Sequence, residues 1–196
     1  TEALMFQSGY LTIAREKNLG GNIMFTLTYP NREVRGALTN DILGRWVKNP
    51  QKAVQSSFAL YEALEVNDFT RIREIFLSLY ASIPNDWFRR NDIDRFEGYY
   101  ASVFYACFAA LGLDIVPEDV SNQGKLDMAI KFNGQVYLFE FKLVEENVEG
   151  KALSQIKEKG YADKYRSLRQ PIHLIGVEFS KKERNVVGFA VESLGG

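Results

Sequence analysis

The feature that most constrains the fold of this chain is the pair Asn133-Gly134, which lies between two runs of alternating residues. A two-residue type I′ turn needs φ > 0 at both central residues, and Asn and Gly tolerate this conformation. The flanking residues are β-branched and aromatic, as in strands. The sequence therefore predicts a β-hairpin over residues 124–142, in which Phe132 faces Gln135 across the turn.

This short turn also predicts the register of the whole hairpin. Counting outward from it places Asp127 opposite Glu140 and Lys125 opposite Lys142. Because side chains alternate along a strand, Asp127, Glu140 and Lys142 are expected on one face. The other face is then apolar and should face the core: Leu126, Met128, Phe139 and Phe141.

The two carboxylates admit two interpretations. Side chains directly opposite each other lie ~5 Å apart, so Asp127 and Glu140 should repel each other unless a divalent cation binds between them. Alternatively, the acids and Lys142 form an ordinary solvated strand face. Residues 136–144 are nearly continuous in apolar side chains, which is typical of a central strand covered on both faces. Charges are costly there, and this favours the metal site.

The spacing Asp127, then Glu140-x-Lys142, resembles the signature of the PD-(D/E)XK nuclease superfamily. More narrowly, the chain resembles the nuclease-like domain at the C-terminus of bacterial AAA-ATPase-like proteins. The similarity covers residues ~92–196. It includes further short segments: Gly124-Lys125, Ala152–Ile156 and Lys159–Tyr161.

This resemblance implies a restriction-endonuclease-like α/β core of order α-β-β-β-α-β-β, with a mixed central sheet and flanking helices. It also implies a Mg²⁺ or Mn²⁺ cofactor. The implied metal ligands are Asp127, Glu140, the backbone carbonyl of Phe141, and Glu97 directly or through water. The implied catalytic residues are Asp127, Glu140, Lys142 and Gln155. The expected nucleic-acid contacts are Lys125, Lys159, Tyr161, Lys164 and Arg166.

Three of these assignments have structural alternatives. Glu97 could instead pair with a basic residue, for which Arg95, Lys125 and Lys142 are the choices. Gln155 could lie on a solvated helix face. Tyr161 could belong to the core rather than to a nucleic-acid groove.

Composition excludes several classes of protein. With 196 residues and a formal net charge of −1, the chain is not a polycation that binds nucleic acid by bulk charge. Residues 151–184 nevertheless hold nine Lys or Arg against four Asp or Glu. A single cysteine, Cys107, and a single histidine, His173, exclude a disulfide framework, a zinc site and a Cys-His pair. These counts indicate the cytoplasm, and no apolar run indicates a membrane segment.

The first 85 residues predict a winged-helix-like or helical segment. A hairpin is expected from strands 10–13 and 23–29, followed by a helix from residue 30. Two more helices are expected over 50–66 and 68–83. ATPase-like members of the family carry a segment similar to residues 6–13, so an ATPase domain is expected upstream in a longer protein.

The remaining residues, 86–196, are expected to form the nuclease-like domain. Its predicted helices span 92–112 and 150 to about 169. Its predicted strands span 114–118, the two arms of the hairpin, 171–180 and 185–192. Cys107 is expected to be a small core residue.

The function expected from these features is metal-dependent hydrolysis of nucleic acid, with DNA as the favoured substrate and RNA as the alternative. A second copy of the chain, in a homodimer, is a further expected partner. A second hypothesis is a catalytically inactive nuclease-fold module that binds nucleic acid or protein. A third makes residues 1–85 the active part and the rest a dimerisation domain. DNA binding by the first segment is less favoured, because its basic residues are interspersed with acidic ones.

Overall fold

A computed structural model describes residues 2–46, 50–83 and 96–195 of the chain. The helices are α1 (Glu2–Gln7), α2 (Arg32–Trp46), α3 (Pro50–Glu65), α4 (Phe69–Ala81), α5 (Glu97–Ala110) and α6 (Lys151–Glu158), with a 3₁₀ helix at Tyr161–Leu168. The strands are β1 (Thr12–Leu19), β2 (Asn22–Thr28), β3 (Asp114–Ser121), β4 (Gly124–Phe132), β5 (Gln135–Val144), β6 (Ile172–Ser180) and β7 (Asn185–Leu194).

The centre of the fold is a five-stranded mixed sheet in the order β3-β4-β5-β6-β7. Strands β5 and β6 are parallel, and the other neighbours are antiparallel. Helix α5 packs on one face and α6 on the other. The predicted order α-β-β-β-α-β-β is confirmed, and this mixed sheet with flanking helices is a restriction-endonuclease-like architecture. The interior strand β6 is buried at every position.

Two buried clusters lie on the two faces of the sheet. The first cluster lies under α3, α4 and α5 and is rich in aromatic rings, with Phe76 stacked on Phe104. The second cluster lies under α6 and the 3₁₀ helix and includes Leu138, Ile156 and Tyr165. Cys107 is buried in the first cluster, as predicted.

Helix α4 shows how the sequence directs this packing. Asp68 accepts a hydrogen bond from the Arg71 backbone N–H at 2.9 Å and so caps the start of the helix. An apolar stripe of the helix is buried in the first cluster. Its buried members are Ile72, Phe76, Leu79 and Tyr80.

The predicted domain boundary near residue 85 stays a prediction, but the first cluster contains residues from both sides of it. Leu60 and Leu64 of α3 share that cluster with Phe139 of β5. Arg35 of α2 also donates a hydrogen bond to the Leu113 carbonyl at 3.3 Å. The start of the helix predicted from residue 92 lies outside the described residues.

The N-terminal hairpin is predicted correctly at its turn and incorrectly at the bounds of its strands. The turn lies at Gly20-Gly21, but β1 runs to Leu19, well past the predicted end at residue 13. The mixed residues Arg15 to Lys17 remain in the strand because they lie on a solvent-exposed ribbon. Apolar side chains are exposed here as well, among them Ile23 and Phe25. None of the described helices is long and apolar enough to span a membrane.

The helix predicted from residue 150 to about 169 is in fact two helices. Helix α6 ends at Glu158 with Lys159 as its C-cap, and Gly160 follows with a φ of 57°, in the left-handed region. The chain then continues as the 3₁₀ helix. An α-helix cannot continue through a left-handed residue, so the glycine ends it. Strand β3 was also predicted too short, because the turn occupies only the two residues after Ser121.

Candidate active site

The β4–β5 hairpin has the predicted turn and register. Both turn residues have positive φ, 50° and 73°, as a type I′ turn requires. Pairing runs from Phe132 opposite Gln135 to Met128 opposite Phe139. Beyond this pair, no backbone pairing between β4 and β5 is recorded in the described residues. The two predicted pairs beyond Met128, Asp127 opposite Glu140 and Lys125 opposite Lys142, are therefore not observed as strand pairs.

An irregularity in β3 and β4 explains where the regular pairing ends. Glu118 has a φ of 49°, and it lies between the paired residues Pro117 and Asp119. The β3–β4 register is the same on both sides of Glu118, so this is a local twist and not a bulge. Leu126 consequently packs in the second cluster, although it was predicted to share the face of Met128. Asp127 lies at this break.

Glu140 is the most unusual side chain of the site, since it is a carboxylate that is only 1% exposed. Its Oε1 accepts a hydrogen bond from the Lys142 ammonium at 3.0 Å and another from the Gln155 amide. Its Oε2 is buried without a hydrogen-bond partner among the described residues. Burial, together with the nearby Asp127 carboxylate, raises the pKa of Glu140 to about 7.

Asp127 faces Glu140 from the neighbouring strand. Its Oδ2 accepts the Phe141 backbone N–H at 2.8 Å, so the side chain takes a donor of β5 at the point where strand pairing has ended. Burial raises the pKa of Asp127, and this outweighs the opposite effects of the Phe141 N–H and Lys142. The carboxylates were predicted to repel each other, and the raised pKa of Glu140 beside Asp127 agrees with that prediction.

Lys142 and Glu97 complete the group of charges. The Lys142 side chain is 26% exposed, and its ammonium lies 3.9 Å from Glu97 Oε1. Burial alone would lower the pKa of Lys142, but the contact with Glu140 and the other nearby carboxylates raises it overall. Glu97 begins α5, and its Oε2 accepts the Leu143 backbone N–H at 3.0 Å. Of the alternatives raised for Glu97, a pair with Lys142 is therefore present.

Gln155 reaches Glu140 because α6 lies very close to β6. Gly176, which pairs with Glu140 in the sheet, faces the backbone of Leu153. A Cβ at position 176 would overlap the Leu153 nitrogen and lie 2.8 Å from its Cα. Only glycine allows this approach. Gln155 therefore contacts the site, and its prediction as a solvated residue is not supported.

The predicted basic nucleic-acid contacts are mostly paired with acidic side chains. Three pairs are observed: Lys125 with Glu118, Lys164 with Asp119, and Arg166 with Asp163. The basic turn after β6 is likewise paired with the acidic loop after β5, through Lys181–Glu145 and Lys182–Glu146. Lys159 is exposed and has no ion pair among the described residues. The positive excess of residues 151–184 is thus largely neutralised locally.

Tyr161 and Tyr165 are core residues, and for Tyr161 this is one of the two alternatives left open by the sequence. Both are 4% exposed and belong to the second cluster. The Tyr161 hydroxyl donates to the Lys125 carbonyl at 3.0 Å. The Tyr165 hydroxyl donates to buried Asp119 at 2.7 Å. These contacts attach the 3₁₀ helix to strands β3 and β4.

Two residues that position the site were not predicted from the sequence, Gly176 and Glu178. Glu178 is 2% exposed, and its carboxylate accepts backbone N–H groups at the start of α6. A signal for Glu178 was present, because it interrupts the apolar strand 171–180 in the way that Glu140 interrupts 136–144. Gly176 carried no such signal.

The oxygen donors of Asp127 and Glu140 suit a divalent metal ion. No group of three or more His, Cys, Asp or Glu side chains is arranged to hold a metal within the described ranges. Two carboxylates, one with a buried oxygen that lacks a partner, suit Mg²⁺, which commonly takes one or two carboxylates and completes its shell with water and phosphate. Asp127 and Glu140 therefore fit such an ion.

Comparison with known proteins agrees with this geometry. The chain is 54% identical over 195 residues to an "Uncharacterized protein in vnfD 5'region" of Azotobacter chroococcum mcd 1. That alignment covers 100% of this chain and 38% of the relative, so the chain spans about two fifths of the relative's length. No solved structure matches the chain significantly. Residues 95–189, which contain Asp127, Glu140, Lys142 and Gln155, match the family model of the PD-(D/E)XK nuclease superfamily.

Proposed function

We propose that this protein is a Mg²⁺- or Mn²⁺-dependent nuclease that hydrolyses phosphodiester bonds of DNA, and in second place of RNA. The observation that carries the proposal is the state of Glu140. A buried carboxylate with one oxygen lacking a partner, placed beside Asp127, destabilises a fold unless a cation or proton binds there. Lys142 contacts only the other oxygen. The match of residues 95–189 to a nuclease family supports the same conclusion.

Each side chain of the site has a proposed role. Asp127, Glu140 and the Phe141 carbonyl would hold the ion, with Glu97 beside them. When bound, the ion supplies Lewis-acid polarisation of the phosphate and a lower pKa for an attacking water. Lys142, kept charged by Glu140, orients that water and stabilises negative charge developing on phosphorus. Gln155 fixes Glu140 Oε1 and leaves Oε2 free.

For the nucleic-acid contacts we propose Lys159 first, because it is exposed and unpaired among the described residues. Lys125, Lys164 and Arg166 would have to exchange an acidic partner for phosphate. We propose Tyr161 as a residue that supports the surface from within, since its ring is buried.

We further propose that the protein works with other modules. An ATPase domain upstream, or a second copy of the chain, would cover apolar side chains on the N-terminal hairpin. Ile23 is 55% exposed there and Phe25 is 50% exposed. Two-stranded hairpins are marginal in water and usually need such a contact.

The second candidate function is a nuclease-fold module without catalysis that binds nucleic acid or protein. It is favoured by the local pairing of most basic residues, which leaves few charges for phosphate. The hydrogen bonds of Lys142 and Gln155 to Glu140, with Asp127 bound to the adjacent Phe141 N–H, favour catalysis instead.

One assay separates the two candidates. The purified chain is incubated with supercoiled, linear and single-stranded DNA and with RNA in Mn²⁺, beside EDTA and the variants Asp127→Ala and Lys142→Ala. We expect cleavage that disappears in EDTA and in both variants. Cleavage that persists in Asp127→Ala would refute the assigned site, and cleavage by no sample while Mn²⁺ also fails to bind would favour the non-catalytic module.

A further inference from the structure

Helix α6 begins without a side-chain cap of its own. Gly150 occupies the N-cap position with φ of 71°, and it makes no side-chain hydrogen bond. The first amides of a helix have no partners within the helix and must find them elsewhere. In α6, a residue of the sheet supplies the hydrogen-bond acceptors for these amides.

That residue is Glu178 in the middle of β6. Its Oε2 accepts the Glu149 N–H at 2.6 Å, and its Oε1 accepts the Ala152 N–H at 3.3 Å. The carboxylate therefore binds the chain on both sides of Gly150. A negative charge is also favourable at this end of a helix.

The same helix carries Gln155, less than one turn further on. Gln155 donates its amide to Glu140 Oε1, and Glu140 pairs with Gly176, two residues before Glu178. The place of Gln155 is thus set by two contacts between α6 and β6. One is the close approach of Leu153 to Gly176, and the other is the carboxylate of Glu178.

We propose that Glu178 is a positioning residue, which acts through α6 to hold Gln155 against Glu140. This inference rests on the proposed function for its catalytic consequence, but its structural part does not. Without the Glu178 contact, the start of α6 is free to move away from β6, and Gln155 moves with it. Glu140 Oε1 then accepts a hydrogen bond from Lys142 only.

The first readout needs no activity. In ¹H–¹⁵N spectra of the metal-free chain, the side-chain amide of Gln155 reports its hydrogen bond to Glu140. In Glu178→Gln, where an amide group faces backbone donors, we expect these resonances to move toward those of a solvated glutamine. The matched control is Glu192→Gln. Glu192 accepts from Lys157 at 2.7 Å near the other end of α6, so its loss should leave the Gln155 resonances in place.

A second variant keeps the carboxylate and shifts it. Gly188 pairs with Glu178, and a Cβ at that position would lie 3.1 Å from the Glu178 Cβ and 3.3 Å from its Oε2. Gly188→Ala should therefore displace Glu178 by a few tenths of an ångström and move the Gln155 resonances in the same direction. This variant decides the question if Glu178→Gln does not fold.

The second readout is cleavage. We expect Glu178→Gln to lower kcat roughly tenfold with little change in KM, and to cause no further loss in a Gln155→Ala background. A purely structural role would give the same loss in both backgrounds. Unchanged Gln155 resonances in a folded variant, or a fully additive loss, would overturn the proposal. If the parent chain cleaves nothing, the proposed function fails while the resonances still decide the positioning role.

Discussion

Replacing Glu140 by glutamine should stabilise the metal-free protein at alkaline pH. The folded-state pKa of Glu140 is about 7 against an ordinary value of 4.5. A difference of this size corresponds to about 3 kcal/mol lost when the carboxylate is ionised in the fold. Lys142 loses its charged partner in the variant, which offsets about 1 kcal/mol. A net gain of about 2 kcal/mol should raise Tm by roughly 4 to 8 °C at pH 8.

The pH dependence of this effect has a definite sign. Because the pKa is raised in the folded state, the favourable contribution is complete below about 4.5 and is lost as pH rises through about 7. The parent should therefore lose stability over that window in EDTA, and Glu140→Gln should lose less. The assay is thermal unfolding from pH 4.5 to 8.

Glu178→Gln is the matched control for this experiment. It also removes a buried carboxylate from the sheet, but one that accepts two backbone N–H groups, so it should destabilise. If Glu140→Gln lowers Tm at pH 8 as much as at pH 4.5, the Glu140 carboxylate is well satisfied in the fold. The reasoning that assigns it to a metal site would then be refuted.

Three further predictions follow from single contacts. Gly176→Ala should destabilise the fold by about 1 to 3 kcal/mol in denaturant titrations, because its Cβ overlaps Leu153; an unchanged midpoint would contradict the close packing of α6. Lys142→Ala should abolish cleavage and leave Mn²⁺ binding by calorimetry largely intact, and undiminished cleavage would remove its assigned role. Lys159→Ala should weaken DNA binding and reduce the slope of log K against log salt concentration by about 1. Lys164→Ala should mainly lower Tm, because Lys164 binds buried Asp119. The reverse result would show that DNA binds at Lys164 rather than at Lys159.

The hairpin and its carboxylates were predictable because local rules determine them. The Asn133-Gly134 turn fixes the register as far as Met128 opposite Phe139, and Asp127, the next residue, lies near Glu140. Strand alternation failed only where a backbone irregularity interrupts it. Glutamate does not usually adopt a positive φ, so the φ of 49° at Glu118 could not be predicted from its residue type. The placement of Leu126, on the strand paired with it, in the second cluster was therefore not predictable either.

The features that sequence did not yield depend on contacts between distant segments. Glycine is unfavourable within a helix, but whether Gly160 bends or ends the helix depends on how the 3₁₀ helix packs on β3 and β4. The pairing of Lys164 with Asp119 joins residues 45 positions apart. A count of charges along residues 151–184 cannot anticipate such partners, and it therefore overstated the basic surface.

The central claim is that Asp127 and Glu140 hold a divalent metal ion. The most direct test is calorimetric titration of Mn²⁺ into the parent chain and into folded Glu140→Gln at pH 8, where the parent carboxylate is ionised. We expect saturable binding by the parent and little or none by the variant, with Glu192→Gln binding like the parent. Equal Mn²⁺ binding by the parent and Glu140→Gln would contradict the assignment.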